Sequence, residues 1–184
     1  MRRVRREDLL DWATYSDRRD KLRAEAMAAK DRRRVHAGDN LTFLFENFDT
    51  VRYQIQEMLR AEKIVREEDI AHEIETYNEL LGGDGELGCT LLIEIEDGSA
   101  RARKLREWLA LPGHVYVALA GGRRVYASFD ERQVGSDRVS SVQYLKFRTG
   151  RETPVAVGSD LPELAVEARL TEEQRAALST DLAG

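Results

Sequence analysis

The sequence predicts an α+β fold with a largely antiparallel sheet and the N-terminal helices packed on one face. Three observations carry this expectation. Helix-forming segments come mainly first and strand-forming segments mainly later. The turns between strands are short, and the regular βαβ alternation that a parallel sheet requires is absent. With 184 residues, the chain is long enough for one domain that hides roughly 70% of its unfolded surface. The expected division is a basic helical segment over 1–37, an α+β core over 38–147 and a C-terminal extension with a short helix over 148–184.

Each element has a local cause. Glu7 to about Arg34 lacks Gly and Pro and is rich in Ala, Arg, Leu and Glu, which predicts one long or two consecutive helices. Gly38 stops them, and Leu41–Phe45 reads as a buried strand. A helix over 47–64, capped by Asp49 or Thr50, puts Val51, Ile55, Met58 and Leu59 on one face and Arg52, Tyr53, Gln56, Glu57 and Arg60 on the other. Glu62 would project into that apolar face unless the helix has frayed by then. A second helix, Glu67–Leu81, carries the stripe Ile70, Ile74, Tyr77 and Leu81 and ends at Gly82 and Gly83.

From Glu86 the period changes to two. Leu87, Cys89, Leu91, Ile93 and Ile95 form the dry face of a strand. Ala100–Leu111 reads as a helix with Leu105, Trp108 and Leu109 inward, closed by Pro112 and Gly113. His114–Ala120 and Arg123–Phe129 form a hairpin around Gly121 and Gly122. Ser141–Phe147 and Leu164–Leu170 read as further strands, and Thr171 with Gln174 as a capping box opening a last helix. Arg148–Pro162, with two of the three prolines, reads as the most mobile stretch.

Composition narrows the function classes. No apolar run approaches the about 18 residues of a membrane span, and acids at Glu7, Asp8 and Asp11 break any signal-peptide pattern, so a soluble, non-exported protein is expected. A lone cysteine, Cys89, allows neither an intrachain disulfide nor a Cys-based zinc site and fits a reducing cytoplasm. The net charge of −5 is unevenly distributed. Residues 1–34 hold 12 Lys+Arg against 7 Asp+Glu, and the rest hold 17 against 27. A basic helix docked on an acidic body explains this, with Arg32–Arg34 against the acid-rich segment that follows. An arm for phosphate, nucleic acid or an acidic partner is the alternative. Acids interspersed among the arginines, and no nucleic-acid-binding motif, favour the first and make nucleic acid an unexpected partner.

The densest polar run, Phe45 to Glu62, supplies the candidate ligand-binding residues Glu46, Asn47, Arg52, Gln56, Glu57 and Arg60. A strand end followed by a helix N-terminus attracts anions, and Arg52, Gln56 and Arg60 share a side with Glu57 as base or counter-ion. An internal salt-bridge network is the competing explanation. Glu68, His72, Glu75 and Glu79 share a helical face, but without Glu-x-x-His pairs on two helices they read as a solvated acidic face, and no metal site is expected. His36 and His114 sit at element ends and lack a partner in the local sequence. Cys89 reads as a small core residue, and Gly82–Gly85 as a turn, because a phosphate loop follows a strand and opens a helix.

The run from Phe45 to Glu62, with Arg32-Arg33-Arg34-Val35 and Gly38 before it and Tyr77-Asn78, Gly85-Glu86-Leu87 and Thr90-Leu91 after it, resembles an uncharacterised bacterial domain-of-unknown-function family. The resemblance extends from about Asp8 to the end. Genes of that family tend to neighbour those for rubrerythrin and for a heterodisulfide-reductase-like iron-sulfur protein. The resemblance therefore implies redox or peroxide-stress physiology and a rubrerythrin-like or iron-sulfur partner. It assigns no catalytic residue and no cofactor, and Cys89 stands where relatives are expected to carry a small residue. The expected function is an accessory or interaction protein of such a module. A small-molecule enzyme or anionic-ligand-binding protein with its pocket on residues 46–62 is the alternative. Exposed strand edges make a homodimer conceivable.

Overall fold

The computed structural model describes residues 1–184, the side chain of Gln133 excepted. The fold is α+β, with five α-helices and two four-stranded antiparallel sheets. In order along the chain they are α1 (Trp12–Asp31), β1 (Arg34–Ala37), β2 (Leu41–Glu46), α2 (Phe48–Ala61), α3 (Glu67–Asn78), β3 (Glu86–Ile93), α4 (Gly98–Glu107), β4 (Val115–Ala118), β5 (Arg124–Tyr126), β6 (Val142–Arg148), β7 (Ala156–Ser159), β8 (Val166–Arg169) and α5 (Glu172–Ala183).

The first sheet has the order β1-β2-β3-β6 and the second β5-β4-β7-β8. They share one hydrophobic cluster. Leu41, Phe43 and Phe45 of β2 and Leu87, Cys89, Leu91 and Ile93 of β3 meet Val115 and Val117 of β4 and Val157 of β7. Leu105 of α4, nearby Trp108, and Leu178 and Leu182 of α5 join the same cluster. The sheets also meet at their margins. Beyond β5, Ser128 exchanges backbone hydrogen bonds of 2.8 and 2.9 Å with Lys146 of β6, while β1 lies against β8. Edges of the two sheets therefore face each other within one chain.

The outer face of the first sheet carries the helical layer. All six residues of β2 are buried because both of its faces are covered, one by the barrel-like core and the other by helices. Val51, Ile55 and Leu59 of α2 pack with Val4, Leu9, Ile70 and Leu81 in a second cluster, so the apolar stripes of α2 and α3 are satisfied by each other and by the N-terminal arm. The end of α3 sits directly on β3. A Cβ on Gly88 would lie 1.8 Å from the Leu80 carbonyl oxygen, and one on Gly82 2.0 Å from that of Glu86. Gly82 is thus required for close backbone approach rather than for a left-handed cap.

Several boundaries shift for local reasons. The N-terminal helix starts later than expected, at Trp12, because Asp11 accepts hydrogen bonds from the backbone N–H groups of Ala13 and Thr14, and it ends before Arg34, which enters β1. Residues 6–8 form a separate 3-10 turn. Glu62 caps the C-terminal end of α2 and is exposed, so no carboxylate enters the apolar face. The stretch read as mobile, Arg148–Pro162, contains β7, an inner strand of the second sheet whose four residues are all buried. The Gly121-Gly122 hairpin is present, with φ of 82° and 86° at the two glycines, as is the capping box of Thr171 and Gln174.

Candidate functional site

The polar run reaches from the end of β2 into α2, and its residues fall into two groups. Glu46, wholly buried, accepts hydrogen bonds from the hydroxyls of Thr50, at 2.5 Å, and Thr90, at 2.7 Å. Asn47 is the N-cap of α2. Its side-chain oxygen accepts from the Thr50 N–H, and the Thr50 hydroxyl accepts from the Asn47 N–H, each at 3.0 Å. Thr50 is therefore the reciprocal member of the capping box rather than the cap.

Further along α2, Gln56 holds the N-terminal arm. Its amide oxygen accepts from the Leu10 N–H at 2.9 Å and its amide nitrogen donates to the Leu10 carbonyl at 3.1 Å. Asn78 of α3 grips both backbone groups of Val4 in the same way, at 2.9 and 2.8 Å. Each amide stands in for one residue of a neighbouring strand, so the arm is pinned at two points without forming a sheet.

Glu57 is the electrostatic centre of the α1–α2 contact. Arg19 donates to both of its oxygens, from Nε at 2.8 Å and Nη2 at 2.7 Å, and the Tyr15 hydroxyl donates at 2.5 Å. The guanidinium pulls the Glu57 carboxyl below its ordinary value against the opposing effect of burial. Burial, and then Glu57, push the Tyr15 phenol up. A carboxylate so engaged is poorly suited to abstract a proton.

Arg52 and Arg60 remain at the surface. Arg52 lies 3.3 Å from Asp49, with its guanidinium 5.3 Å from the centre of the Phe48 ring. Arg60 makes no ion pair within 4 Å among the described residues, although Glu57 feels its charge. These two line separate concavities on either side of Gln56. One, of about 530 Å³, runs between α1 and α2 and is lined by Arg18, Arg32, Arg52, Tyr53 and Gln56. The other, of about 210 Å³, lies where the arm meets the α2–α3 connection and is lined by Trp12, Gln56, Arg60, Ile64 and Val65. Leu10, Tyr15 and Gln56 border both.

The charges of the larger groove do not cancel locally. Asp8 is paired with Arg2, Asp49 with Arg52, and Glu25 lies 4.0 Å from Lys21. Arg18 and Arg32 have no hydrogen-bond or ion-pair partner among the described residues and are exposed. Behind this wall Lys30, half-buried and 5.8 Å from the Tyr53 ring centre, has its pKa lowered by desolvation, with Glu46 opposing and Arg34 adding to the effect.

Arg32–Arg34 form no ion pair with the acid-rich segment that follows them among the described residues, although Arg32 lines the groove beside Asp49, Arg52 and Gln56. Arg33 is buried against Asp181 of α5, donating from Nε at 2.7 Å and Nη2 at 2.8 Å, with Nη1 donating to the Ala29 carbonyl. Arg34 pairs with Asp31, and Arg32 lines the groove. The basic segment is instead joined to the acidic body through Arg6–Glu67, Arg19–Glu57 and Arg33–Asp181.

One constellation had no local sign. On the second sheet His114 Nδ1 lies 2.9 Å from Asp160, which also accepts from Tyr126 at 2.5 Å and faces Arg124 at 3.3 Å. Tyr126 first, and then His114, hold the Asp160 carboxyl below its usual range. The partners are separated by 46 and 34 residues, beyond any spacing rule. His36 similarly contacts the Thr42 hydroxyl across the β1–β2 pair at 2.8 Å. Among the described residues, no three His, Cys, Asp or Glu side chains are placed to hold a metal ion, and Glu68, His72, Glu75 and Glu79 lie on the exposed surface of α3 and its end. Cys89 is buried, and burial pushes its thiol well up. No helix of the described residues is long and apolar enough to cross a membrane.

An arm clamped to two helices, an α1–α2 groove and a two-sheet core define the architecture with which known proteins can be compared. The chain belongs to the DUF3501 family of proteins of unknown function, whose model matches residues 3–182. It is similar to a novel protein of unknown function from Burkholderia pseudomallei K96243, known from a crystal structure. The two are 31% identical, with a TM-score of 0.90 over 98% of this chain and 100% of that one. No curated protein matches the chain.

Proposed function

We propose that the protein is an interaction protein whose docking site is the cleft around the N-terminal arm, and that its partner presents an acidic, extended segment with an apolar anchor. The observation that carries this reading is the position of Trp12 and Val65. They are 57% and 72% exposed, and both line the smaller concavity. Tryptophan is the residue most often found to dominate an interface when it becomes covered.

The electrostatics specify the partner. In the smaller concavity Arg6 is paired with Glu67, and Asp11 is engaged by the N-terminus of α1, which leaves Arg60 without an ion pair among the described residues. In the larger groove Arg18 and Arg32 are unanswered. Those two are about 21 Å apart along α1 at 1.5 Å per residue, too far for one small anion to bridge. An extended acidic chain meets both. An accessory role in a redox module, with a rubrerythrin-like or iron-sulfur partner, is the form of this reading that the family resemblance supports.

The test is affinity capture from the source organism with the intact chain, Trp12→Ser and Arg18→Ala/Arg32→Ala as parallel baits. A rubrerythrin-like or iron-sulfur protein retained by the natural sequence and lost by both variants is the expected result. Equal retention by all three sinks the docking site. Saturable binding of inorganic phosphate that depends on Arg52 and Arg60 would instead support a small-anion pocket on residues 46–62.

A further inference from the structure

We propose that a third cavity, between α3 and β6, binds a small organic cation with an aromatic or apolar body. This cavity is separate from the arm cleft and has a volume of about 680 Å³. That volume lies within the range of small-molecule sites.

Its walls are aromatic. Tyr77 comes from α3, Phe129 from the chain just beyond β5, and Tyr144 from the outer face of β6, with Leu80 completing the apolar surface. Each ring presents a negative face that attracts a cation, and the attraction strengthens as water is excluded. Tyr144 is 46% exposed, which leaves ring surface for a ligand to cover.

Its charges select the sign of the ligand. Asp130 is answered by Arg132, which donates to both of its oxygens. Glu73 and Glu79 also line the cavity and form no ion pair within 4 Å among the described residues. Glu73 is half-buried. Burial raises the Tyr77 phenol, and Glu73 and then Tyr144 raise it further, which places these three groups in one electrostatic neighbourhood. The lining holds a single ammonium, Lys146, while Arg132, bound to Asp130, also feels the charge of Glu79. A cation with a flat or apolar body meets Glu73, Glu79 and the rings together, whereas an anion would face an excess of carboxylates.

The position is also well supported mechanically. Ser128 and Lys146, both in the cavity lining, are locked by paired backbone hydrogen bonds, and the chain just beyond α3 approaches the backbone of β3 closely at Gly82 and Gly88. The walls therefore belong to elements already fixed by the fold, as a preorganised site requires.

The decisive experiment is calorimetric titration of the intact protein with benzyltrimethylammonium chloride, using sodium benzoate as the anionic probe with the same ring. Saturable binding of the ammonium and none of benzoate is expected. Glu73→Gln and Tyr144→Ala should each weaken binding by about threefold or more, and Lys146→Met should tighten it by about twofold, with melting temperatures showing that each variant folds. Absence of saturable binding by the ammonium, preference for benzoate, unchanged affinity in Glu73→Gln, or weaker binding in Lys146→Met would each overturn the proposal.

Discussion

The barrel-like core and the helical layer outside it solve the same problem, burial of one face of β2 and β3, with different chemistry. Inside, Phe43, Phe45, Leu87, Leu91 and Phe147 interdigitate between two sheets, and the Phe45 and Phe147 rings meet at 6.3 Å between centroids. Outside, Glu46, Thr50 and Thr90 occupy the corresponding face. Beyond them the layers are fastened by amide clamps at Val4 and Leu10 and by the Arg19–Glu57 pair. Apolar packing is tolerant of direction and strong in sum, so it holds the sheets together. Charge-assisted hydrogen bonds are directional, so they fix how α1 and the arm lie on the body and give the cleft its shape.

The contrast yields a ranked set of expectations. Phe45→Ala removes a wholly buried ring from between the sheets and should cost about 4 kcal/mol in denaturant unfolding. A loss below about 1 kcal/mol would show that the two sheets do not share one core. Next is Arg33–Asp181, the buried pair that ties the basic segment to α5. Asp181→Ala leaves a guanidinium buried without its carboxylate and should cost about 3 kcal/mol in the same measurement. Recovery of that stability in the double variant Arg33→Met/Asp181→Leu would show that the pair specifies position more than it adds net stability.

The smallest effect is the most informative about the helical layer. Glu57→Gln should cost about 1 kcal/mol near neutral pH, because it weakens the hydrogen bonds from Arg19 and Tyr15 while leaving α2 intact. The pH dependence has a definite sign. The folded Glu57 carboxyl is lowered, so its contribution is present above the ordinary carboxylate range and is lost as pH falls through the folded value. The stability difference between the natural protein and Glu57→Gln should therefore shrink on acidification, whereas the cost of Phe45→Ala should stay nearly constant. Parallel pH profiles for the two variants would contradict the division drawn here.

Much of the layer arrangement was legible in the residues. The stripes of α2 and α3, the β3 strand and the Gly121-Gly122 hairpin all have causes within a few residues, and the structure contains each of them, but β3 is buried on both faces rather than on one because the helical layer covers its other side. What escaped notice was short or remote. β1 and β7 have only four residues each, too few to establish a period. Arg34 follows a run of helix formers, and Ala156 follows a proline-containing loop. Asn47, Asp49 and Thr50 are all good capping types, and only the backbone geometry distinguishes Asn47 as the cap.

The candidate site shows the same limit. The sequence placed Glu46, Asn47, Arg52, Gln56, Glu57 and Arg60 together as one polar surface, and they do belong to one strand end and one helix. It did not show that Gln56 would bond to Leu10, 46 residues away, or Glu57 to Arg19, 38 residues away. Nor did it show that Trp12 and Val65 would be left uncovered over a shared concavity.

By itself, then, the sequence determined the helical segments, the longer strands and the apolar stripes of α2 and α3, because those follow from backbone preference and the periodicity of apolar side chains. It also determined that the first 34 residues are basic and the remainder acidic. Only the tertiary structure decided which charges cancel. Arg19 and Arg33 are consumed by carboxylates distant in sequence, while Arg18, Arg32 and Arg60 are left available, because an ion pair depends on separation in space, which periodicity along the chain does not encode.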